Sequence, residues 1–156
     1  MRARRLFAAA AIAALPAFFS SAAHAVLSIN EPWVRPAADG RSAAVFMKLA
    51  SSDDAALVGA DSFAARTATI RAPGRSRPLA ELPLPASVPV EMKPDGVRID
   101  LNGLVRRLKF GEHVPVTLLL RSSTGLQQKL YVNAEVRRHS PTEDELNPHG
   151  HDHAPR

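Results

Sequence analysis

The chain has 156 residues, and its formal charge of +5 comes from 20 Lys and Arg set against 15 Asp and Glu. It has no cysteine, which excludes a disulfide framework, a thiolate metal site and a cysteine nucleophile. Three of the basic residues and none of the acidic ones lie in a segment expected to be removed, so the mature balance falls to 17 against 15, or +2. That leaves no electrostatic reason to invoke nucleic acid.

Arg2, Arg4 and Arg5 precede an apolar run from Leu6 to Phe19, and small residues follow up to Ala23-His24-Ala25. This is the layout of a cleavable secretory signal over residues 1–25, with Val26 as the first mature residue. The apolar run is shorter than the ~20 residues needed to cross a bilayer, and Pro16 interrupts it. No later stretch is long or apolar enough to span, so a periplasmic or secreted product with no membrane span is expected.

From Val26 to Val136 short apolar alternations are broken by turns, as in one all-β domain. Val45, Met47 and Leu49 share a face before the Ser51-Ser52-Asp53-Asp54 turn. Further strands are expected over 55–60 and 64–70. Prolines crowd Arg71 to Pro89, which predicts an irregular connection or a sheet edge. Val88, Val90 and Met92 alternate with polar or proline positions and end at Pro94-Asp95-Gly96, after which Val97, Ile99 and Leu101 form another face. Phe110-Gly111-Glu112 marks a turn, with His113 read as an ordinary loop residue. Val114 to Leu120 and Leu126 to Val136 then read as a hairpin across Ser122-Ser123-Thr124-Gly125. Residues 137–156 turn polar and end in a His-containing run, which predicts a flexible tail.

Several segments, taken in order, resemble the periplasmic copper chaperone family written PCuAC. Glu31-Pro32-Trp33-Val34-Arg35-Pro36 resembles its opening strand, and Ala43 to Leu49 its second. Leu57 to Ala65 resembles its "LVGxxSPAA" segment, with Phe63 in place of the family's Pro. Leu84 to Gly96 resembles "PAGGxVELKPGG", and Gly103 to Glu112 resembles "GLxxPLKxGD". The resemblance implies a cupredoxin-like antiparallel β-sandwich of Greek-key type, with delivery of copper to a cytochrome oxidase copper-assembly partner.

In that family copper is held by a His, a Met further along, and a His-x-Met pair before the "GL" step. Here the pair falls on Arg98 and Asp100, the earlier His falls at about Arg71, and no Met occurs between Arg71 and Pro89. Arginine is permanently cationic and offers no lone pair, and carboxylate is a hard ligand poorly suited to Cu(I). Arg98 and Asp100 are therefore expected to form a surface ion pair rather than a metal site.

Imidazole remains in the tail, at His149, His151 and His153, with His139 upstream. Alternating imidazoles can converge on one Cu(II) ion, with only modest selectivity over zinc. Met47 and Met92 lie on apolar strand faces and are expected to pack in the core. Trp33 is expected to be buried against the neighbours of the opening strand. No nucleophile triad, phosphate loop or zinc-protease motif occurs, so no enzyme activity is expected. Two readings remain. One is a copper-binding or copper-chaperone-like protein that captures metal through its tail; the other is a metal-independent envelope interaction module that keeps the fold.

Overall fold

A computed structural model describes residues 26–142. The expected leader and the imidazoles at positions 149, 151 and 153 lie outside the described residues. Nine strands follow in chain order: β1 (Leu27–Pro36), β2 (Ser42–Ser51), β3 (Ala55–Asp61), β4 (Ala65–Arg71), β5 (Leu82–Leu84), β6 (Val90–Glu91), β7 (Arg98–Leu104), β8 (His113–Ser122) and β9 (Gln127–Val136). No helix long and apolar enough to cross a membrane occurs among the described residues.

Side chains on a strand alternate between faces, so every second residue can reach the core. In β2 those residues are Ala43, Val45, Met47 and Leu49; in β7 they are Ile99 and Leu101. In β8 they are Val114, Val116, Leu118 and Leu120, and β9 adds Val132, Ala134 and Val136. Burying these apolar faces against one another is the main driving force for closing the sheet.

Hydrogen bonding runs in the order β4-β7-β2-β1-β9-β8-β3-β5, with β6 pairing to β2. The expected all-β, cupredoxin-like sandwich is found, nearly closed into a barrel. Its strand pairs are antiparallel except at the β1–β9 seam, where Trp33 and Val34 lie beside Glu135 and Val136 in parallel. Periodicity cannot distinguish the two directions, because both alternate with period two.

The registers set the two ends of the barrel. Pro36 opposite Ala43, Ser42 opposite Asn102, Ala65 opposite Leu104 and His113 opposite Glu135 gather at one end. That end carries the β1–β2 and β3–β4 turns and the β7–β8 loop. Val26 and the far ends of β4, β8 and β2 lie at the other.

Local chemistry explains where the strand expectations needed adjusting. The 88–92 alternation yields only the two-residue β6, because Pro89 has no N–H to donate and Ser87 takes a positive φ of 59°. The proline-rich segment is both a connection and an edge, since it contributes β5 against β3 at one end of the strand order. His113 is the first residue of β8, opposite Glu135, rather than a loop residue. In β1, two residues, Glu31 and Pro32, stand opposite the single Met47, between the Asn30–Lys48 and Trp33–Phe46 pairs. This bulge holds Glu31 at a φ of 50° and reverses the facing of the remainder of β1. Val34 consequently joins Val45 in the core, while Trp33 and Phe46 meet on the outer face.

Candidate functional site

The positions that the resemblance sets against the family's metal ligands do converge. Arg71 on β4 lies directly opposite Arg98 on β7, and Asp100 follows two residues later on the same face. Arg98 Nε donates to Asp100 Oδ1 at 2.8 Å, and Arg71 Nε lies 3.7 Å from Asp100 Oδ2. Arg71 also donates to the Ser76 carbonyl. One carboxylate thus lies between two guanidinium groups that would otherwise repel each other across the ladder. The side chains are about a third exposed for the arginines and 21% for Asp100. The expected Arg98–Asp100 pair is present, and Arg71 makes it a triad. Its donors are all committed cations, and its one acceptor is a hard oxygen. Nothing in it suits Cu(I).

A second feature forms where the chain leaves β9. Arg137 N donates to Val34 O at 2.9 Å, which extends the parallel seam beyond Val136 and carries residues 138–142 across the outer face of β1. An open groove of about 540 Å³ results, with Trp33, Lys48, Glu91, Lys93 and His139 among its lining residues. Glu31, placed by the bulge, lies 3.1 Å from Lys48 Nζ and accepts a 2.9 Å hydrogen bond from Thr142 Oγ1. Lys93 pairs with Glu91 at 2.9 Å. Trp33 stacks at a tilt on Phe46 with ring centroids 4.5 Å apart, and the Arg35 guanidinium sits 5.5 Å from the Phe46 ring centre.

Met47 and Met92 also border this groove, and Met92 N donates to Met47 O at 2.9 Å. Met47 shares the buried alternation of β2 with Val45 and Leu49, and both methionines are buried. They are 2% and 3% exposed, as expected of core methionines. The two buried methionines and the exposed His139 thus border the same groove. No cluster of three or more His, Cys, Asp or Glu able to hold a metal occurs among the described residues.

The Lys48 ammonium, and after it the Thr142 hydroxyl, hold the Glu31 carboxyl below its ordinary pKa. A carboxylate depressed in the folded state contributes stability above its unfolded pKa, and this is lost as pH falls through the folded value. Trp33 is the only tryptophan in the chain, so its emission reports on this groove. In acid titration, the Trp33 emission step should have its midpoint below the usual glutamate value, and Thr142→Ala should move it upward. A midpoint unmoved by that substitution would show that Thr142 does not hold the carboxylate.

The structure therefore brings together Arg71, Arg98 and Asp100, and separately places His139 on a groove wall. Sequence reasoning missed the groove, since its walls come from β1, β6 and the segment after β9. The one local signal was the Glu31-Pro32 step, because a residue before proline is confined in φ and ψ.

Comparison with solved structures places the fold. The apo PCuAC domain from PmoF1 superposes with a TM-score of 0.62 at 20% identity, covering 71% of this chain and 92% of that one. The copper-bound PCuAC domain from PmoF2 gives 0.60 at 20% identity, covering 74% and 98%. Apo-DR1885 from Deinococcus radiodurans gives 0.52 at 24% identity, covering 89% and 95%. At these identities the likeness establishes a shared fold. No curated protein matches the chain. Residues 27–134, nearly the whole barrel, match the LpqE-like family of lipoproteins, and the chain belongs to that family.

Proposed function

We propose that this protein is an exported copper-handling protein of copper-chaperone type, not an enzyme, and that it captures metal through tail imidazoles. The observation that carries the reading is the His149-x-His151-x-His153 spacing, which begins only seven residues beyond Thr142 at the groove. His139 lies on the groove wall, ten residues before His149, so a fourth imidazole stands within reach of the same chain segment. The fold shared with the copper-bound PCuAC domain from PmoF2 supports copper as the metal, as does the Irving–Williams order for imidazole donors. Zinc competes, because such an open site discriminates weakly. Membership of a lipoprotein family supports residence in the cell envelope. In this reading residues 1–25 are the leader, 26–136 the barrel and 137–156 the metal-capturing tail. The recipient is a cytochrome oxidase copper-assembly protein.

The test is a spectroscopic titration of the purified mature chain, with and without residues 147–156, by Cu(II) and Cu(I) separately. The expected result is about one Cu(II) bound per full chain and none after deletion. Binding that survives the deletion would overturn the tail assignment.

The Arg71–Asp100–Arg98 triad favours a second reading, a metal-independent envelope interaction module. It stands where the resemblance sets the family's metal ligands, and its charges are suited to contact with another protein. Recovery of the same envelope partners with and without a chelator would support it over the copper reading.

A further inference from the structure

At the end of the barrel holding the β3–β4 turn and the β7–β8 loop, large apolar side chains project into solvent. Phe63 is 87% exposed, Val105 67% and Phe110 56%. They belong to one surface. Val105 N donates to Ala64 O at 3.0 Å, beside Phe63, and Gly111 N donates to Val136 O at 2.9 Å, which ties the Phe110 turn to the end of β9. The stretch Val105-Arg106-Arg107-Leu108-Lys109-Phe110 interleaves three apolar residues with three cations as it crosses this end.

Further cations surround these tips. The Arg66 side chain lies over Gly103 and that of Arg107 over Gly40, each so close that an added Cβ would sit 3.1 Å from it. The Arg138 guanidinium stacks 4.7 Å from the Phe110 ring centre. The carboxylates at this end are hydrogen-bonded to neighbouring donors, with Asp39 and Asp61 still exposed. Asp39 accepts from Arg41 N at 2.8 Å, Asp61 from Ser62 N at 2.8 Å, and Glu112 from Lys109 N and Arg106 Nη1. Arg66 and Arg107 form no ion pair among the described residues.

We infer that this end of the barrel docks on an anionic phospholipid surface, with Phe63, Val105 and Phe110 entering the headgroup layer and the surrounding arginines pairing with lipid phosphates. A protein partner would fit a contiguous apolar centre with a polar rim. Here the apolar tips are separated by cations on protruding turns. That arrangement suits a fluid layer in which each tip finds acyl chain and each cation finds phosphate. Val26 lies at the opposite end of the barrel, so the leader junction does not obstruct this face. The inference is independent of the copper reading.

The test is co-sedimentation of the full mature chain with vesicles of phosphatidylcholine alone and of phosphatidylcholine mixed with phosphatidylglycerol. Binding is expected to the mixed vesicles only and to weaken as salt is added. The double variant R66Q/R107Q should bind about 25-fold more weakly, since each surface cation is worth about five-fold. F63S, at an exposed position where folding is not at stake, should also weaken binding. R75Q/K129Q removes the same charge from the opposite end and should leave binding unchanged. Equal binding to both vesicles, no binding to either, or equal loss in the two double variants would overturn the inference.

Discussion

Phe46→Ala is expected to cost about 3–5 kcal/mol of unfolding free energy, the range for truncating a buried aromatic side chain. Phe46 has no exposed surface although it lies on the opposite face of β2 from Val45 and Met47, with the Trp33 ring and the Arg35 guanidinium against it. Removing its ring leaves Trp33, which lines the groove, without its stacking partner. Small domains are stable by only ~5–15 kcal/mol in total, so the loss should be plain in a urea midpoint, accompanied by a red shift of Trp33 emission. Phe63→Ser, on an 87% exposed ring, should change stability by no more than about 0.5 kcal/mol. Two variants of equal stability would mean that the outer aromatic pair does not hold β1 to β2.

The second large effect is a gain. In the chain lacking residues 147–156, the triple substitution R71H/R98H/D100M should confer Cu(I) binding at about one equivalent, where the unsubstituted chain binds none. Positions 71 and 98 are direct cross-strand partners, and position 100 is a diagonal neighbour on the same face. Their Cβ atoms therefore lie within roughly 5–8 Å of one another, a span that two imidazoles and a thioether can close on one ion. Losing the ion pairs should be tolerated, because partly exposed pairs contribute only about 0.2–1 kcal/mol each. A triple variant that folds but binds no Cu(I) would show that these three positions cannot be converted into a metal site.

Most of the strands could be read directly. In β2, β7 and β8 the residues that alternate in the sequence are those that are buried, since a half-buried strand has to show its face in its own composition. The hairpin across Ser122–Gly125 was legible for the same reason, helped by its turn residues. The β1–β9 seam was not. It joins residues about a hundred positions apart, and neither strand carries a mark of its partner's direction. Trp33 was expected to be buried and is, at 4% exposure. That it is buried on the outer face depends on a bulge whose effect shows only once β2 is paired beside it.

The candidate sites divide in the same way. The lack of soft donors at positions 71, 98 and 100 was visible residue by residue. The closing of those residues into a triad around one carboxylate required the β4–β7 register. His139 was noticed as one imidazole among several, and only the crossing of residues 138–142 over β1 gave it a groove wall.

Composition and alternation alone determined that this chain forms a β domain and brings no thiol chemistry, because these are properties of residues and their nearest neighbours. Tertiary structure decided which charges meet, on which face of the sheet the aromatic pair is buried and which loops share one end of the barrel. Those outcomes depend on strands distant in the chain coming within a few ångströms of one another, and local periodicity does not encode that distance.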